Sequence, residues 1–336
     1  MAYQQGFSLE EVAALKAELA DFDVNLPVTL PPNSAALASY FRTYDFDRVL
    51  LLPEVNFYLG YQNCDDSRVA TYYWSQPKPR ATVLVCTGLF DHVGLFLAPI
   101  KALLDNGYEV LALDWPGHGL SDGDPIVVDN FDRYSRVLSD LLSQWQAQLQ
   151  GLVKSSQARD VNVPVYALSQ STGGAALMNY LLLHSGGDVL SKAIFLAPLL
   201  RIRSWSKVSW THRLLHKFVS HVPRTFSNGS HDVYFNHFLS QHCPLQARKI
   251  PVQWVGALRE WDRRFDSLPE SEFPLLIVQG DEDNTVLWRE NLPRIQSKFP
   301  NAKVSLLSGG RHHLVNEDNT RLQSVITQVI RHFDAT

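Results

Sequence analysis

The residue with the clearest chemical potential is Ser171, which follows a short apolar segment and precedes a run of small residues. The stretch 164–177 has the sequence PVYALSQSTGGAAL, which predicts a strand that turns tightly into a helix at the serine. In such a nucleophile elbow the serine Oγ projects above the end of the sheet, and the backbone N–H of Thr172 faces the charge that develops when Oγ attacks a carbonyl. The pattern departs from GxSxG at Ser169, where a small serine replaces the first glycine. The stretch therefore predicts acyl transfer, although an incidental serine in a buried turn would have the same pattern.

Two later segments end in side chains that could complete this chemistry. Residues 274–286 form an apolar run followed by a glycine and three carboxylates, and residues 304–314 form a second run that ends in glycines and two histidines. Serine, acid and histidine in this order along the chain is one of the known arrangements of a hydrolytic triad. In that arrangement the histidine takes the serine proton as a general base, and the acid orients the imidazole ring.

These segments belong to a wider pattern of four blocks that spans residues 80–320, most of the chain. The first block is TGLFDH at residues 87–92, and the second is DWPGHGLSDG at residues 114–123. The other two are the segment around Ser171 and the acid and histidine segments that follow it. With these blocks the chain resembles the α/β-hydrolases of the lysophospholipase and monoacylglycerol-lipase-like group, which also contains the serine aminopeptidases.

The resemblance implies which acid and which histidine act with Ser171. In this group the acid follows a glycine by three positions, as Asp283 does, and the histidine begins a His-x-Leu-x-Asn-Glu run, as His312 does. Asp283 and His312 are therefore the expected partners of the serine. Asp281 and His313 stay open as alternatives, because the alignment of these loops with the family motif could shift by one residue.

A second N–H donor for the oxyanion is expected in the first block. In the family this loop has His-Gly followed by the donor residue, so the resemblance implies that the backbone N–H of Leu89 acts together with that of Thr172. Thr87 stands where the family has histidine, a residue that mainly supports the loop. His92 and His118 are expected to be structural histidines of family turns rather than catalytic or metal-binding groups.

Composition is consistent with one large α/β domain that carries an insertion. The chain has 336 residues, a hydrophobic content of 45% and a formal net charge of −4, with no basic tracts that suggest a nucleic-acid partner. Cys64, Cys86 and Cys243 are far apart and fit neither a disulfide framework nor a zinc site. No metal or organic cofactor is expected. Because the sequence has neither a signal-like start nor an apolar run of spanning length, the protein is expected to be cytoplasmic.

Residue periodicity predicts the elements that position these groups. A helix capped by Ser8, with Glu11 in the capping box, is expected over residues 9–19, and an antiparallel hairpin over residues 55–74. Further strands are expected near residues 82–86, 109–113, 163–168, 192–197, 274–279 and 302–307, with helices between them such as 131–149. Alternating strands and helices imply a mostly parallel sheet. The expected fold is thus an α/β-hydrolase fold with an eight-stranded sheet, flanking helices and an inserted helical cap.

Three regions divide the predicted fold. Residues 1–50 are expected to form an N-terminal helical extension, residues 51–200 and 266–336 the α/β-hydrolase core, and residues 201–265 the cap. The stretch 201–250 carries eight lysines and arginines against one acid. Basic, aromatic helices favour anionic head groups and membrane surfaces, so transient membrane contact through the cap is one interpretation. A solvated cap face balanced by acids elsewhere is the other.

The combined prediction is a serine hydrolase that cleaves carboxylic esters through an acyl-enzyme intermediate, with a small-molecule ester or lipid as substrate. The resemblance implies a monoacylglycerol lipase or a lysophospholipase-like esterase. Aminopeptidase and perhydrolase activities use the same residues and stay open, although a peptidase needs carboxylates near the substrate ammonium, of which the start of the cap has one. A non-catalytic ligand-binding protein is the alternative from another class, which the departures at Ser169 and Thr87 would fit.

Overall fold

The structure is a computed structural model that describes residues 3, 6–154, 163–183 and 189–335. An eight-stranded sheet lies at its centre. In chain order the strands are β1 (Asn56–Cys64), β2 (Ser67–Ser75), β3 (Thr82–Cys86), β4 (Glu109–Leu113), β5 (Val165–Gln170), β6 (Leu190–Leu196), β7 (His221–Pro223), β8 (Lys249–Pro251), β9 (Leu275–Gly280) and β10 (Lys303–Leu307). The sheet order is β1-β2-β4-β3-β5-β6-β9-β10, while β7 and β8 form a separate antiparallel pair. Among the described residues, only the pairings of β2 with β1 and with β4 are antiparallel in this sheet. The expected mostly parallel sheet of an α/β-hydrolase fold is confirmed.

Helices cover both faces of the sheet. They are α1 (Leu9–Glu18), α2 (Ala35–Tyr44), α3 (Asp47–Leu50), α4 (Leu97–Asp105), α5 (Asp132–Lys154), α6 (Thr172–Leu183), α7 (Trp205–Leu215), α8 (Val233–Gln241), α9 (Val252–Phe265), α10 (Trp288–Lys298) and α11 (Asn319–Asp334). The apolar sides of α5, α6, α9 and α10 share one core, and those of α1 to α4, α8 and α11 share the other. Among the described residues, no helix combines the length and the apolar character needed to cross a bilayer.

The central strands are largely apolar, as strands with both faces covered are. All five residues of β3 are buried. Val83 and Val85 contribute to one core, and Leu84 and Cys86 contribute to the other. Strands buried on both faces in this way lack polar alternation, which is why the parallel strands are recognisable as continuous apolar runs in the sequence.

The elements before the first parallel strand agree with the sequence prediction. Ser8 caps α1 by accepting from the Glu11 N–H at 3.1 Å, and the Glu11 carboxylate accepts from the Ser8 N–H at 2.7 Å, so the capping box is present. The predicted hairpin is formed by β1 and β2, which pair over their whole length at one edge of the sheet.

Five elements from α7 to α9 lie between β6 and β9, where the sequence predicts a cap. The last of them, α9, is attached firmly to the core. Its Trp261 stacks on Phe131, with ring centroids 5.0 Å apart, and donates to Asn179 Oδ1 at 3.1 Å. Arg264 of α9 also forms an ion pair with Asp132 at the start of α5. The other end of the insertion, α7, has one buried residue, Trp205.

Candidate active site

The turn between β5 and α6 holds Ser171 in a left-handed backbone conformation, with φ of 52°. This is an unfavourable conformation for a residue with a side chain, and it persists where the surroundings enforce it. The Ser171 N–H donates to Leu196 O of β6 at 2.9 Å. At Gly173 a Cβ atom would lie only 2.3 Å from Cys86 O, so the helix can approach β3 only with glycine at this position.

The serine that replaces the first glycine of the motif fits into the turn. Ser169 is completely buried, and its hydroxyl donates to Ile194 O of β6 at 3.2 Å. A buried hydroxyl that finds an acceptor avoids most of the cost of its desolvation. The departure from GxSxG therefore leaves the turn intact.

Three of the residues singled out in the sequence form one hydrogen-bonded chain. His312 Nε2 lies 2.9 Å from Ser171 Oγ, and His312 Nδ1 lies 2.8 Å from Asp283 Oδ2. The side chains come from the loops after β5, β9 and β10. The whole residues are 8%, 6% and 8% exposed for Ser171, Asp283 and His312, so the serine is sheltered yet reachable from the adjoining cavity.

Asp283 is held by groups that keep its carboxylate ionised. Its Oδ1 accepts from the N–H of Thr285 at 2.7 Å and of Val286 at 3.2 Å, and its Oδ2 accepts from Gln279 Nε2 at 3.0 Å. Burial alone would raise the pKa of this carboxyl, but the His312 ring and these donors outweigh burial, and the pKa lies below its ordinary value. For His312 burial acts to lower the pKa, while the Asp283 charge and hydrogen bond act to raise it and outweigh burial, so the net pKa is raised.

The alternative acid and histidine take part in other contacts. Asp281 Oδ1 accepts from the Gly309 N–H at 2.7 Å, which ties the loop after β9 to the loop after β10. His313 Nε2 lies 2.9 Å from Asp91 Oδ1. Neither side chain belongs to the hydrogen-bonded chain that includes Ser171.

Both predicted oxyanion donors lie at the cavity beside Ser171. Leu89 and Thr172 line this cavity together with Ser171 and His312. Within the described ranges neither backbone N–H donates to a protein acceptor. Two N–H groups next to a serine nucleophile and without protein partners can bind a developing oxyanion.

The second sequence block supports the loop that carries Leu89. The Asp114 carboxylate accepts from the N–H of Val93 at 2.7 Å and of Leu120 at 2.9 Å. Burial raises the pKa of Asp114 to about 6, although these donors act in the opposite direction. Gly119, with φ of 48°, passes so close that a Cβ atom would lie 2.1 Å from Asp114 Oδ2. This explains the aspartate and one of the glycines of the DWPGHG block.

His92 and His118 lie outside the cavity lining, as structural histidines would. Burial lowers the pKa of His92 to about 3, so its ring is neutral, and its Nε2 lies 3.4 Å from Cys243 Sγ. His118 Nδ1 lies 3.0 Å from Pro116 O. The second ring nitrogen of each histidine has no partner among the described residues, so their hydrogen bonding is only partly satisfied.

The cavity at Ser171 has a volume of about 270 Å³. Its apolar lining consists of Leu89, Phe90, Leu199, Ile202, Phe235, Leu239, Ile250, Trp254 and Val286. Its charged lining includes Asp91, Arg203 and Arg224 beside the two histidines. Sequence reasoning missed the cap residues of this lining; Arg224 contributes to the basic surplus of residues 201–250, but no local motif indicates where its side chain lies. A larger cleft of about 670 Å³ lies between α7 and α9. Its lining includes none of Ser171, His312 and Asp283, so it is separate from the candidate active site.

One group of side chains in the described ranges could in principle ligate a metal ion. It consists of His231, Glu317 and Asp318. Glu317 already accepts from the N–H groups of His231 and Arg311, at 2.8 and 2.7 Å, and Asp318 caps α11. These carboxylates hold loops and a helix end, and these hydrogen bonds account for the closeness of the three side chains.

The fold and the geometry around Ser171 define a protein of the α/β-hydrolase class. The family model described as serine aminopeptidase, S33, matches residues 77–319. Because this match covers most of the chain, the chain belongs to the S33 serine aminopeptidase family of hydrolases.

Curated relatives and solved structures agree with this assignment. A monoglyceride lipase homolog of monkeypox virus is 22% identical over 278 residues, which cover 80% of this chain and 94% of the relative. Rat monoglyceride lipase is 25% identical, with 76% of this chain and 83% of the relative covered. A soluble variant of monoglyceride lipase from Saccharomyces cerevisiae, solved with a substrate analog, superimposes with a TM-score of 0.68 at 18% identity, covering 82% of this chain and 94% of that one. At this level of identity the structural likeness concerns the fold.

Proposed function

We propose that the protein is a serine hydrolase that cleaves carboxylic esters, with Ser171 as nucleophile, His312 as general acid and base, and Asp283 as the group that orients the imidazole. The observation that carries the proposal is the chain of hydrogen bonds of 2.9 and 2.8 Å that joins the three side chains. Membership of a hydrolase family and similarity to monoglyceride lipases support it.

The reaction follows from the positions of these groups. Ser171 Oγ attacks the ester carbonyl carbon as His312 Nε2 takes the hydroxyl proton, and the oxyanion is stabilised by the N–H groups of Leu89 and Thr172. The tetrahedral intermediate then expels the alcohol, which receives the proton from His312, and an acyl-enzyme remains. Water attacks the acyl carbon with His312 again as base, and the carboxylic acid leaves with Ser171 restored. Asp283 stabilises the imidazolium in both halves of the reaction.

The proposed substrate is a monoacylglycerol or a lysophospholipid. The cavity lining is largely apolar, as an acyl chain requires, and the similar curated proteins are named monoglyceride lipases. An aminopeptidase must instead pair its substrate's ammonium group with a carboxylate. Within the described cavity lining Asp91 is the one acid, and it already bonds to His313 at 2.9 Å. This favours an ester over a peptide, while a perhydrolase would use the same side chains.

The cap is proposed to touch a membrane surface during turnover. We assign residues 201–265 to the cap, residues 1–50 to the N-terminal extension and the rest to the core. We also propose that the protein is cytoplasmic. Large apolar side chains of the cap are exposed, with Phe218 and Tyr234 at 83% and 80%. Further exposed apolar side chains of the cap are those of Trp210, Leu214, Leu215, Val222 and Val233. Exposed aromatic and aliphatic side chains with basic neighbours are typical of surfaces that bind at the lipid interface.

Hydrolysis of p-nitrophenyl butyrate by the wild-type protein and by Ser171→Ala tests the proposal. The substitution is expected to lower kcat by at least about 1,000-fold, because the nucleophile is lost. Ser143→Ala is the matched control, since Ser143 lies on the exposed side of α5 and its hydroxyl bonds to Asp140 O within the same helix. Absence of wild-type activity, or equal activity in Ser171→Ala, would rule out the serine hydrolase and favour a binding protein.

A series of p-nitrophenyl esters with increasing acyl length tests the lipid substrate. Burial of each added methylene in the apolar lining is expected to raise kcat/KM by up to about fourfold until the cavity is filled. Activity that is highest with the acetyl ester would contradict the lipid assignment and leave the mechanism untouched.

A further inference from the structure

Arg224 of the cap lies beside the loop that carries the proposed oxyanion donor. Its guanidinium carbon lies 3.7 Å from the ring centroid of Phe90 and 4.3 Å from that of Phe226. Phe90 directly follows Leu89, and both Phe90 and Arg224 line the cavity that contains Ser171. A guanidinium held against two aromatic rings loses little further freedom when it binds a ligand.

Hydrogen bonds fix the position of this guanidinium. Its Nη1 donates to Gln246 Oε1 at 2.5 Å and to Ala247 O at 3.3 Å. The buried Gln246 amide in turn donates to Phe90 O at 2.7 Å, so one side chain links Arg224 to the oxyanion loop. In the described part of the chain, the other two guanidinium nitrogens donate to no protein atom.

Arg224 has no carboxylate partner within ion-pair distance among the described residues, although it is half-buried. Burial lowers the pKa of its guanidinium to about 10, so the group is still charged at neutral pH. The one acid of the described cavity lining, Asp91, lies 2.9 Å from His313 Nε2, and its charge acts on Arg224 only from beyond ion-pair distance. A half-buried cation without an ion-pair partner costs free energy unless a ligand provides the opposite charge.

We propose that Arg224 binds an anionic group, a phosphate or a carboxylate, carried by the ester substrate. Guanidinium groups form charge-assisted, often bidentate hydrogen bonds with these anions, and Arg224 has two nitrogens available for them. Arg203 adds a second positive charge to the cavity lining. The inference rests on the proposed ester hydrolysis and narrows its substrate class from monoacylglycerols and lysophospholipids in general to monoacyl esters that carry an anionic group.

The test compares three substrates with one acyl group: 1-octanoylglycerol, 1-octanoylglycerol 3-phosphate and the octanoyl ester of glyceric acid. The wild-type protein is expected to have a higher kcat/KM for one of the anionic esters than for the neutral ester. The anionic ester that it prefers shows whether the site binds a phosphate or a carboxylate. Arg224→Gln is expected to lower kcat/KM for that anionic ester by about 10- to 100-fold, and for the neutral ester by less than about threefold.

Arg248→Gln is the matched control. Arg248 also lies over the Phe226 ring, at 4.9 Å, but it is exposed and does not line the cavity. The Arg248→Gln substitution should leave the preference between the three substrates unchanged. A fall of equal size for all three esters in Arg224→Gln would mean that Arg224 merely holds the cap to the loop, and it would overturn the inference. A wild-type preference for the neutral ester would overturn it as well, with ester hydrolysis intact.

Binding of octyl phosphate, followed by calorimetry, separates this inference from the proposed function. The wild-type protein should bind octyl phosphate about tenfold more tightly than Arg224→Gln does, whether or not it hydrolyses esters. Equal affinity in the two proteins would refute the anion site. Circular dichroism melting of Arg224→Gln reports whether the variant is folded, and Arg224→Lys, which keeps the charge, should recover part of the affinity.

Discussion

Ser171 and His312 are 141 positions apart in the chain, yet the serine Oγ and the histidine Nε2 lie 2.9 Å apart. Ser171 directly follows β5, and His312 lies in the loop after β10. Parallel strands present their carboxyl ends at one edge of a sheet, so loops that are distant in the chain meet there. The acid comes to the same edge because it follows β9, the neighbour of β10.

Replacement of the proposed orienting acid, Asp283→Asn, is expected to lower kcat by about 10⁴-fold, because an amide at this position favours the wrong imidazole tautomer. Ester hydrolysis under saturating substrate measures the effect. Asp281→Asn is the matched control, since its remaining oxygen can still accept from the Gly309 N–H. The control should retain activity within about threefold. A larger loss in Asp281→Asn than in Asp283→Asn would reverse the assignment of the acid.

The pH dependence of activity should follow His312, which must be neutral to accept the serine proton. Because Asp283 raises the pKa of His312 above its ordinary value of 6.5, kcat/KM is expected to rise with pH through a midpoint above 6.5 and to be lost as the ring becomes protonated at lower pH. Residual activity of Asp283→Asn should show a lower midpoint, because the charge that raises the pKa is gone while burial remains. A wild-type midpoint at or below 6.5 would contradict the prediction.

The close approach of α6 to β3 should make Gly173 intolerant of any side chain. A Cβ atom there would lie 2.3 Å from Cys86 O, so Gly173→Ala is expected to lower the free energy of unfolding by about 1–3 kcal/mol or more, and to displace Ser171. Urea unfolding gives the comparison with Gly151→Ala in α5, where a Cβ atom would meet nothing within 4 Å. That control should be neutral or stabilising by up to about 1 kcal/mol. Similar stability of Gly173→Ala and wild type would mean that the helix can shift away from β3.

Membrane contact through the cap should depend on its exposed aromatic side chains. Phe218→Ser is expected to weaken binding to vesicles that contain an anionic phospholipid by about five- to tenfold, because an apolar side chain no longer enters the interface. Sedimentation with vesicles measures binding, and p-nitrophenyl butyrate hydrolysis should be unchanged. Leu51→Ser removes a side chain of comparable exposure, 73%, outside the cap. If both variants bind as the wild type does, the cap does not contact the membrane.

Much of the core could be predicted because its signals are local. The strands from β3 to β9 of the sheet contain short apolar runs, and the Ser8 capping box and the β1–β2 hairpin have their own short patterns. Each of these elements was found close to its predicted position. The cap offers weaker signals, since its two strands are three residues long and α7 buries a single residue, Trp205. Its interior contacts could therefore not be derived from residue periodicity.

The sequence by itself determined the order of strands and helices along the chain and the residue types available for chemistry, because periodicity and turn composition are properties of short segments. Only the tertiary structure decided between Asp283 and Asp281 and between His312 and His313 as members of the hydrogen-bonded chain, since residues one or two positions apart in a loop point in different directions. It also decided that Arg224 lies against Phe90 at the cavity. Such contacts depend on how distant segments pack together, and no local pattern encodes them.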